Sequence, residues 1–312
     1  MIIKKITLFL FILGSLISCK IKNVTETVVL KKETNYIPYY LKVYEADSLY
    51  LVKNYQKSYE ILDNLFQKYE PLNLERYKEY ETYISCAHKL NKNLDYKKMI
   101  VYSIEFLGTN TKYIKYDSLF NVAFKKTNIP TKELELHTQK YRSKLNLKLR
   151  DSIIEICSDD QKKRQNGNSN LEDIRKIDSI NEIRLSKIFE SYDYPSEKLI
   201  GEFFIDSTDV NLRFVFLHTK HDFRINFLLP KVLKAVKLGK AYPEDYAESY
   251  DRYMEITTGK QLYGSYNLRR EKQFTEFVDI KKIDSIRKSI GLPHLKYNRW
   301  RFKMKYGIDP YN

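Results

Sequence analysis

The stretch FLHTKHDF holds the residues whose types and spacing come nearest to chemistry: His218, His221 and Asp222. Histidines three apart can share a helix face, and two imidazoles with a carboxylate make a partial metal site. The spacing is not the HExxH pattern, which sets its histidines four apart around a glutamate, so no resident metal is expected. A second polar stretch, YDRYMEITTGKQLYGS, brings Asp251, Arg252, Glu255, Gln261 and Tyr263 up to a glycine turn. A histidine beside carboxylates and arginines can supply a general base, an orienting carboxylate and an anion clamp. That set would suit hydrolysis or group transfer on a phosphate- or carboxylate-bearing substrate. GxSxG, P-loop and GxGxxG signatures do not occur, which removes the commonest hydrolase and nucleotide-binding layouts. The catalytic candidates are His218, Asp222, Asp251 and Arg252, and no cofactor is expected.

The elements that must position these residues read as helices. From Pro38 to Leu107 apolar residues recur at intervals of three and four, in YYLKVYEADSLYLV, YQKSYEILDNLF, LERYKEYETYISCAHKL and YKKMIVYSIEFLG. Ala46, Leu49 and Tyr55 return as Ala87, Leu90 and Tyr96, each set a helix with a small residue, a polar turn and a second helix. This weak repeat resembles tetratricopeptide-type helical hairpins, although its period of 41 is longer than the roughly 34 of that family. The resemblance implies either a concave surface for a protein or peptide partner or a spacer. A helical stretch over Thr131–Ile156 follows, and Lys162–Asn170 (KKRQNGNSN) is the clearest loop.

Beyond that loop, LEDIRKIDSINEIRLSKIFESY carries an apolar stripe. Pro230–Gly239 and Pro243–Gly259 each open on proline and stop at glycine. Asp279 is expected to cap a helix that buries Ile280, Ile283, Ile286 and Ile290. QLYGSY and FTEFV could pair as a short hairpin. No βαβ alternation occurs. The fold class is therefore mainly α, with N-terminal helical hairpins and an α-rich C-terminal domain holding at most a short β-hairpin. The expected division is 1–18 signal peptide, 19–37 tether, 38–156 hairpin region, 157–295 α-rich domain and 296–312 basic aromatic tail.

The chain begins MIIKKITLFLFILGSLISCK. Lys4 and Lys5 precede an apolar run, Ile6–Ile17, too short to span a bilayer. The run ends in Leu16-Ile17-Ser18-Cys19, which resembles the lipobox of bacterial lipoproteins. In that family the cysteine is acylated after cleavage before it, so the resemblance implies a palmitate-bearing anchor at Cys19. Several acyl chains hold far more firmly than one, and the implied partner is the membrane. Lys20 after the cysteine favours the outer membrane by the same resemblance. Cys86 and Cys157 remain, too few for a disulfide framework, and Cys86 in YISCAHKL reads as a buried free thiol.

With 312 residues, 43% of them hydrophobic, the chain can build its own core. A net charge of +15 admits nucleic acid, anionic lipid or acidic glycans as partners. The excess is spread along the chain, and an exported protein is not expected to meet nucleic acid. Only Leu292–Gly307 concentrates basic and aromatic residues, with Lys296, Arg299, Arg301, Lys303 and Lys305 around Trp300. That tail is expected to pack or to touch membrane phosphates.

Over Ser158–Leu295, under half of the chain, the residues resemble an uncharacterised bacterial domain family. Its ordered motifs are DQxxR, an Asp and Asn on the next helix, a glycine after a proline turn, QHxD, DR, Q-x-YGT and D-x-x-R…GL. Here Asp160, Gln161 and Arg164 stand in DQKKR, Asp178 and Asn181 in DSIN, and Pro195 and Gly201 in YPSEKLIG. His218 and Asp222, Asp251-Arg252, Gln261 with Tyr263-Gly264, and Asp284, Arg287, Gly291 and Leu292 complete the order. Leu217 replaces the Gln before the histidine and YGSY replaces YGTQ. The family implies no reaction. It adds Asp160, Gln161, Arg164, Asp178, Asn181, Gln261 and Tyr263 as binding candidates that could converge in one groove. Buried networks of such residues also serve to lock helices together, so structural, binding and catalytic readings stay open. The function expected is that of an envelope lipoprotein that binds or scaffolds, with a hydrolase-like enzyme as the alternative.

Overall fold

A computed structural model describes residues 34–165, 170–208, 210–266 and 276–309. Cys19 and the rest of the lipobox lie outside these. The first helix, α1 (Ile37–Leu51), starts with proline in its first turn, where the missing amide hydrogen costs nothing. It buries Tyr39, Tyr40, Val43, Tyr44 and Asp47, a stripe wide enough to serve two neighbours. One neighbour is α2 (Tyr55–Lys68). Ala46 lets it come close enough for the Ser58 hydroxyl to donate to the Ala46 carbonyl at 2.9 Å. The next pair, α3 (Glu79–Lys89) and α4 (Tyr96–Leu107), buries Ala87 on α3, and Asp95 caps the Lys98 amide at 2.9 Å.

Two more helices, α5 (Ser118–Lys126) and α6 (Thr131–Ser143), cover that second pair. Ile84, Ile100, Ile104, Ile114, Phe120 and Ala123 form a small separate core there. The stretch read as one helix over 131–156 is broken. Leu145 turns inward, and Asn146 accepts from the Leu149 amide to start α7 (Leu147–Gln165). That helix runs to Gln165, so the expected loop begins later than Lys162; its residues 166–169 lie outside those described. Asn170 caps α8 (Leu171–Tyr192) through the Asp173 amide.

Short turns follow: α9 (Glu197–Ile200), α10 (Arg213–His218) and α11 (His221–Phe223). A π-helical turn, Arg224–Leu228, runs straight into α12 (Leu229–Lys237). The long α13 (Pro243–Thr258) ends at Gly259 in the left-handed conformation, and α14 (Ile283–Ser289) and α15 (Tyr297–Tyr306) close the chain. The large core draws on α1 and α2 as well as α7, α8, α10, α12, α13 and Tyr297, so it crosses residue 156 without a seam. The described residues make one compact unit.

Long contacts close the ring between the chain's two ends. The Tyr40 hydroxyl lies between the carbonyls of Val236 (2.9 Å) and Ala241 (3.0 Å). Gly291 (φ +89°) abuts Tyr40; a Cβ there would sit 2.9 Å from its ring. The basic tail packs as α15: Arg301 and the Tyr297 hydroxyl both reach the buried Asp47 carboxylate, at 2.8 and 2.5 Å. Cys86 is buried and Cys157 half-buried, and no disulfide joins them.

Two further expectations change. Ile280 is 56% exposed, because Asp279 accepts from the Lys281 and Lys282 amides in a turn and the helix begins only at Ile283. The expected hairpin is instead a parallel pair, β1 (Lys260–Gln261) with β2 (Glu276–Phe277). Residues 262–265 are held in a turn by Asp251 and cannot run on as a hairpin strand.

Candidate functional site

The sequence candidates assemble into two groups rather than one groove. The first lies between α7, α8 and the end of α10. Asp160, fully buried on α7, is the hub. His218 meets its two oxygens through Nδ1 at 2.9 and 3.0 Å, and Gln161 donates to it at 2.7 Å. Arg164, one turn along, bridges Asp160 (2.9 Å) to Asp178 on α8 (2.5 Å). One turn beyond Asp178 stands Asn181, with neither its amide nitrogen nor its oxygen partnered. Burying an amide unpaired costs about 1–3 kcal/mol.

The second group surrounds Asp251. Its Oδ1 accepts from the amides of Leu262 (2.8 Å) and Tyr263 (2.9 Å). Its Oδ2 accepts from the Ser265 amide (2.8 Å) and hydroxyl (2.6 Å). All four bonds go to one loop, so Asp251 fixes that loop and does not orient His218. Gln261 bonds both the amide and the carbonyl of Tyr266, closing the same turn. Arg287 ties it to α14 by donating to the carbonyls of Tyr263 (2.5 Å) and Pro293 (2.7 Å), and Asp284 accepts from the Leu295 amide. Ser265 in YGSY thus supplies two of the four bonds.

His221 and Asp222 do not join His218. The chain leaves the helix at Thr219 and Lys220, so the two histidines share no face. His221 packs edge-on against Tyr253, and Asp222 is exposed. Among the described residues no group of three His, Cys, Asp or Glu side chains is placed to hold a metal ion. Arg252 lies over the Tyr266 ring, 5.3 Å from its centroid.

A cavity of about 640 Å³ lies elsewhere, and no motif announced it. It opens between the connector at Glu75–Tyr77, the start of α9, Leu212–Arg213 and the first turn of α13. Tyr242 donates its hydroxyl to Glu197 at 2.7–2.8 Å and accepts from the Glu75 amide. Tyr194 donates to Asp245 at 3.0 Å, and Arg213 pairs with Glu248. Burial pushes the Glu197 carboxyl up to about 8, helped by Glu202 and resisted by Tyr242. Burial likewise pushes Asp245 up to about 6 against the pull of Arg213. Displaced carboxyls in a partly apolar cleft mark binding and catalytic sites. The sequence signals were only YPSE and YPED, two prolines at helix starts each followed by acids, which read as ordinary helix openings. A smaller aromatic groove of about 350 Å³, lined by Phe66, Tyr80, Tyr83 and Tyr102, runs along the helical hairpins.

No family model, curated protein or solved structure matches the chain. The domain resemblance over Ser158–Leu295 therefore rests on the order of its motifs.

Proposed function

We propose that the chain is a lipid-anchored binding protein of the bacterial envelope, and that its ligand occupies the cavity between Tyr242, Tyr194 and Arg213. The cavity itself carries this reading: about 640 Å³ is the size of a small-molecule site. Its walls pair apolar faces, from Phe203, Leu212 and Val210, with the carboxyl groups of Glu197, Glu244 and Asp245. The ligand class that suits such walls has an apolar face and hydrogen-bond donors. A peptide partner on the hairpins would meet the aromatic groove between α2, α3 and α4.

The cavity is tested with the fluorescent neutral amine N-phenyl-1-naphthylamine, which has an apolar face and an N–H donor. One site per chain is expected, weakened about tenfold or more when Val210→Trp fills the wall. Absence of a saturable site, or equal affinity in the variant, removes this reading. The anchor is tested separately by Cys19→Ser. The variant is expected to leave the membrane fraction for the soluble one, and its retention on membranes would overturn the lipid anchor.

A hydrolase-like reading has one specific support, the Asp160–His218 pair, in which a buried carboxylate orients an imidazole as an activated base requires. In that reading Asp160, not Asp251, is the orienting acid.

A further inference from the structure

Arg224 is the most anomalous charge in the molecule. It opens the π-helical turn, a distortion often found at functional sites. Its side chain is 1% exposed, yet no carboxylate pairs with it among the described residues. Nη2 donates to the carbonyls of Leu217 (2.8 Å) and Thr219 (2.6 Å), which flank His218. Nε and Nη1 have no partner. A buried guanidinium is ordinarily paired, since an uncompensated buried charge costs several kcal/mol.

The neighbouring groups deepen the anomaly. The nearest strong influence on Arg224 after burial is a second cation, Arg252. Together burial and Arg252 push its pKa down to about 10, against weaker pulls from Tyr266 and Glu182. Glu182, whose Oε1 accepts from the Lys220 amide at 2.5 Å, makes no ion pair with Arg224. Arg252 rests on Tyr266 and has no carboxylate of its own among the described residues. Beside Glu182 on α8 stands Asn181, 1% exposed, with donor and acceptor both unpaired. A buried guanidinium with two free donor atoms, whose strongest charged influence is another arginine rather than an acid, describes the surroundings of an absent anion. The orphaned Asn181 amide stands one residue from Glu182, whose carboxylate reaches the Lys220 amide.

We infer that Arg224 and Arg252, with the Asn181 amide, form a binding site for the oxyanion group of a ligand, a phosphate or a carboxylate, beside the Asp160–His218 pair. The site is distinct from the Tyr242 cavity and does not depend on it. An anion placed there accepts from the free donors of Arg224, neutralises the repulsion between the guanidiniums and gives Asn181 a partner. The free Nε and Nη1 of Arg224 can donate to a tetrahedral or a planar oxyanion, so both are probed.

The test is thermal unfolding and isothermal titration of the full chain with inorganic phosphate and, separately, acetate, each against chloride at equal ionic strength. At least one oxyanion is expected to bind at one site per chain and to raise Tm by mass action. The half-exposed Arg252→Gln is expected to weaken that binding about tenfold or more while leaving the anion-free Tm within about 2 °C. Arg252→Lys is expected to retain part of the affinity through its charge. Asn181→Leu, which replaces an unpaired amide by an apolar side chain of similar size, is expected to stabilise the anion-free chain and weaken anion binding. The site is overturned if neither anion acts beyond chloride, or if R252Q binds as tightly as the parent. It is equally overturned if a high-resolution structure in saturating phosphate shows only water bridging Arg224 and Asn181.

Discussion

Asp251→Ala is expected to cost about 3–5 kcal/mol of stability and to lower Tm by about 10 °C or more. The carboxylate is fully buried, and its removal leaves three backbone amides and one hydroxyl without an acceptor. Water can reach only part of that loop, because Tyr263 is 6% exposed and Gly264 is buried. Gly264 (φ +61°) cannot relax by moving inward, since Phe277 and Leu295 already crowd it. Arg287 keeps its bond to the Tyr263 carbonyl, so the loop is loosened at one wall and still held at the other. Asp251→Asn separates structure from chemistry. Its one remaining oxygen can keep the Leu262 and Tyr263 amides, but its NH2 group then faces the Ser265 amide donor. An intermediate loss, about half that of the alanine variant, is expected in urea or thermal denaturation. Asp222→Asn, on an exposed carboxylate, serves as the comparison and should move Tm by less than about 2 °C. A catalytic Asp251 would behave the other way, with stability kept in D251N and an activity lost; a D251A chain as stable as its parent would end the loop-clamp account.

That contrast shows what the sequence could and could not carry. Local rules made the helices legible. Pro243 and Gly259 marked both ends of α13, and Ala46 marked where α1 and α2 approach. These signals need only neighbouring residues. The Asp251 loop is nearly local too, since its partners stand 11 to 14 residues away, and its residues were recognised but assigned to chemistry. An acid near an arginine and a glutamine looks the same in a string whether it faces a ligand or ties a turn. The His218–Asp160 contact, 58 residues long, was reached only because both stood in one ordered set of motifs. The cavity escaped altogether. Tyr242 joins Glu197 from 45 positions away and Glu75 from 167, and no periodicity encodes that meeting. Arg224 escaped for a different reason: a guanidinium in RINFLLP reads as a solvated position, and only burial without an acid makes it unusual. Ile280 failed in the opposite sense. Its helical spacing was right, but the helix started three residues later.

The cavity carboxyls make stability depend on pH in a direction that can be worked out beforehand. Glu197 has an unfolded pKa of about 4.3 and a folded one pushed up to about 8 by burial and by Glu202. Between those values the folded chain binds the proton and the unfolded chain has released it. The native state therefore binds more protons, and stability falls as pH rises. Its full contribution is present below about pH 4 and is lost as pH climbs through about 8. Asp245, pushed up to about 6, acts with the same sign over the lower part of that range. Lys78, 2.9 Å from Glu202, stays charged throughout and limits the cost of ionising the pair. The Tyr242 hydroxyl favours the Glu197 anion and limits it further. Glu75, on the connector, adds a small push in the raising direction. The carboxyls with lowered pKa, Glu105, Glu133, Asp193 and Asp206, lose their contribution only at more acid pH and do not oppose the trend above pH 5. Thermal melts from pH 5.5 to 8.5 are accordingly expected to show a falling Tm. Glu197→Gln, which keeps an acceptor for Tyr242 and removes the charge, should flatten the slope and raise Tm at pH 8.5 by about 3–8 °C. Asp245 and Glu248, pushed up by burial to about 6 and about 7, leave a shallower slope of the same sign on that wall. A parent chain whose Tm is level across the range, or an E197Q slope equal to the parent's, would mean that solvent reaches Glu197 freely and that the cavity wall is wetter than its geometry implies.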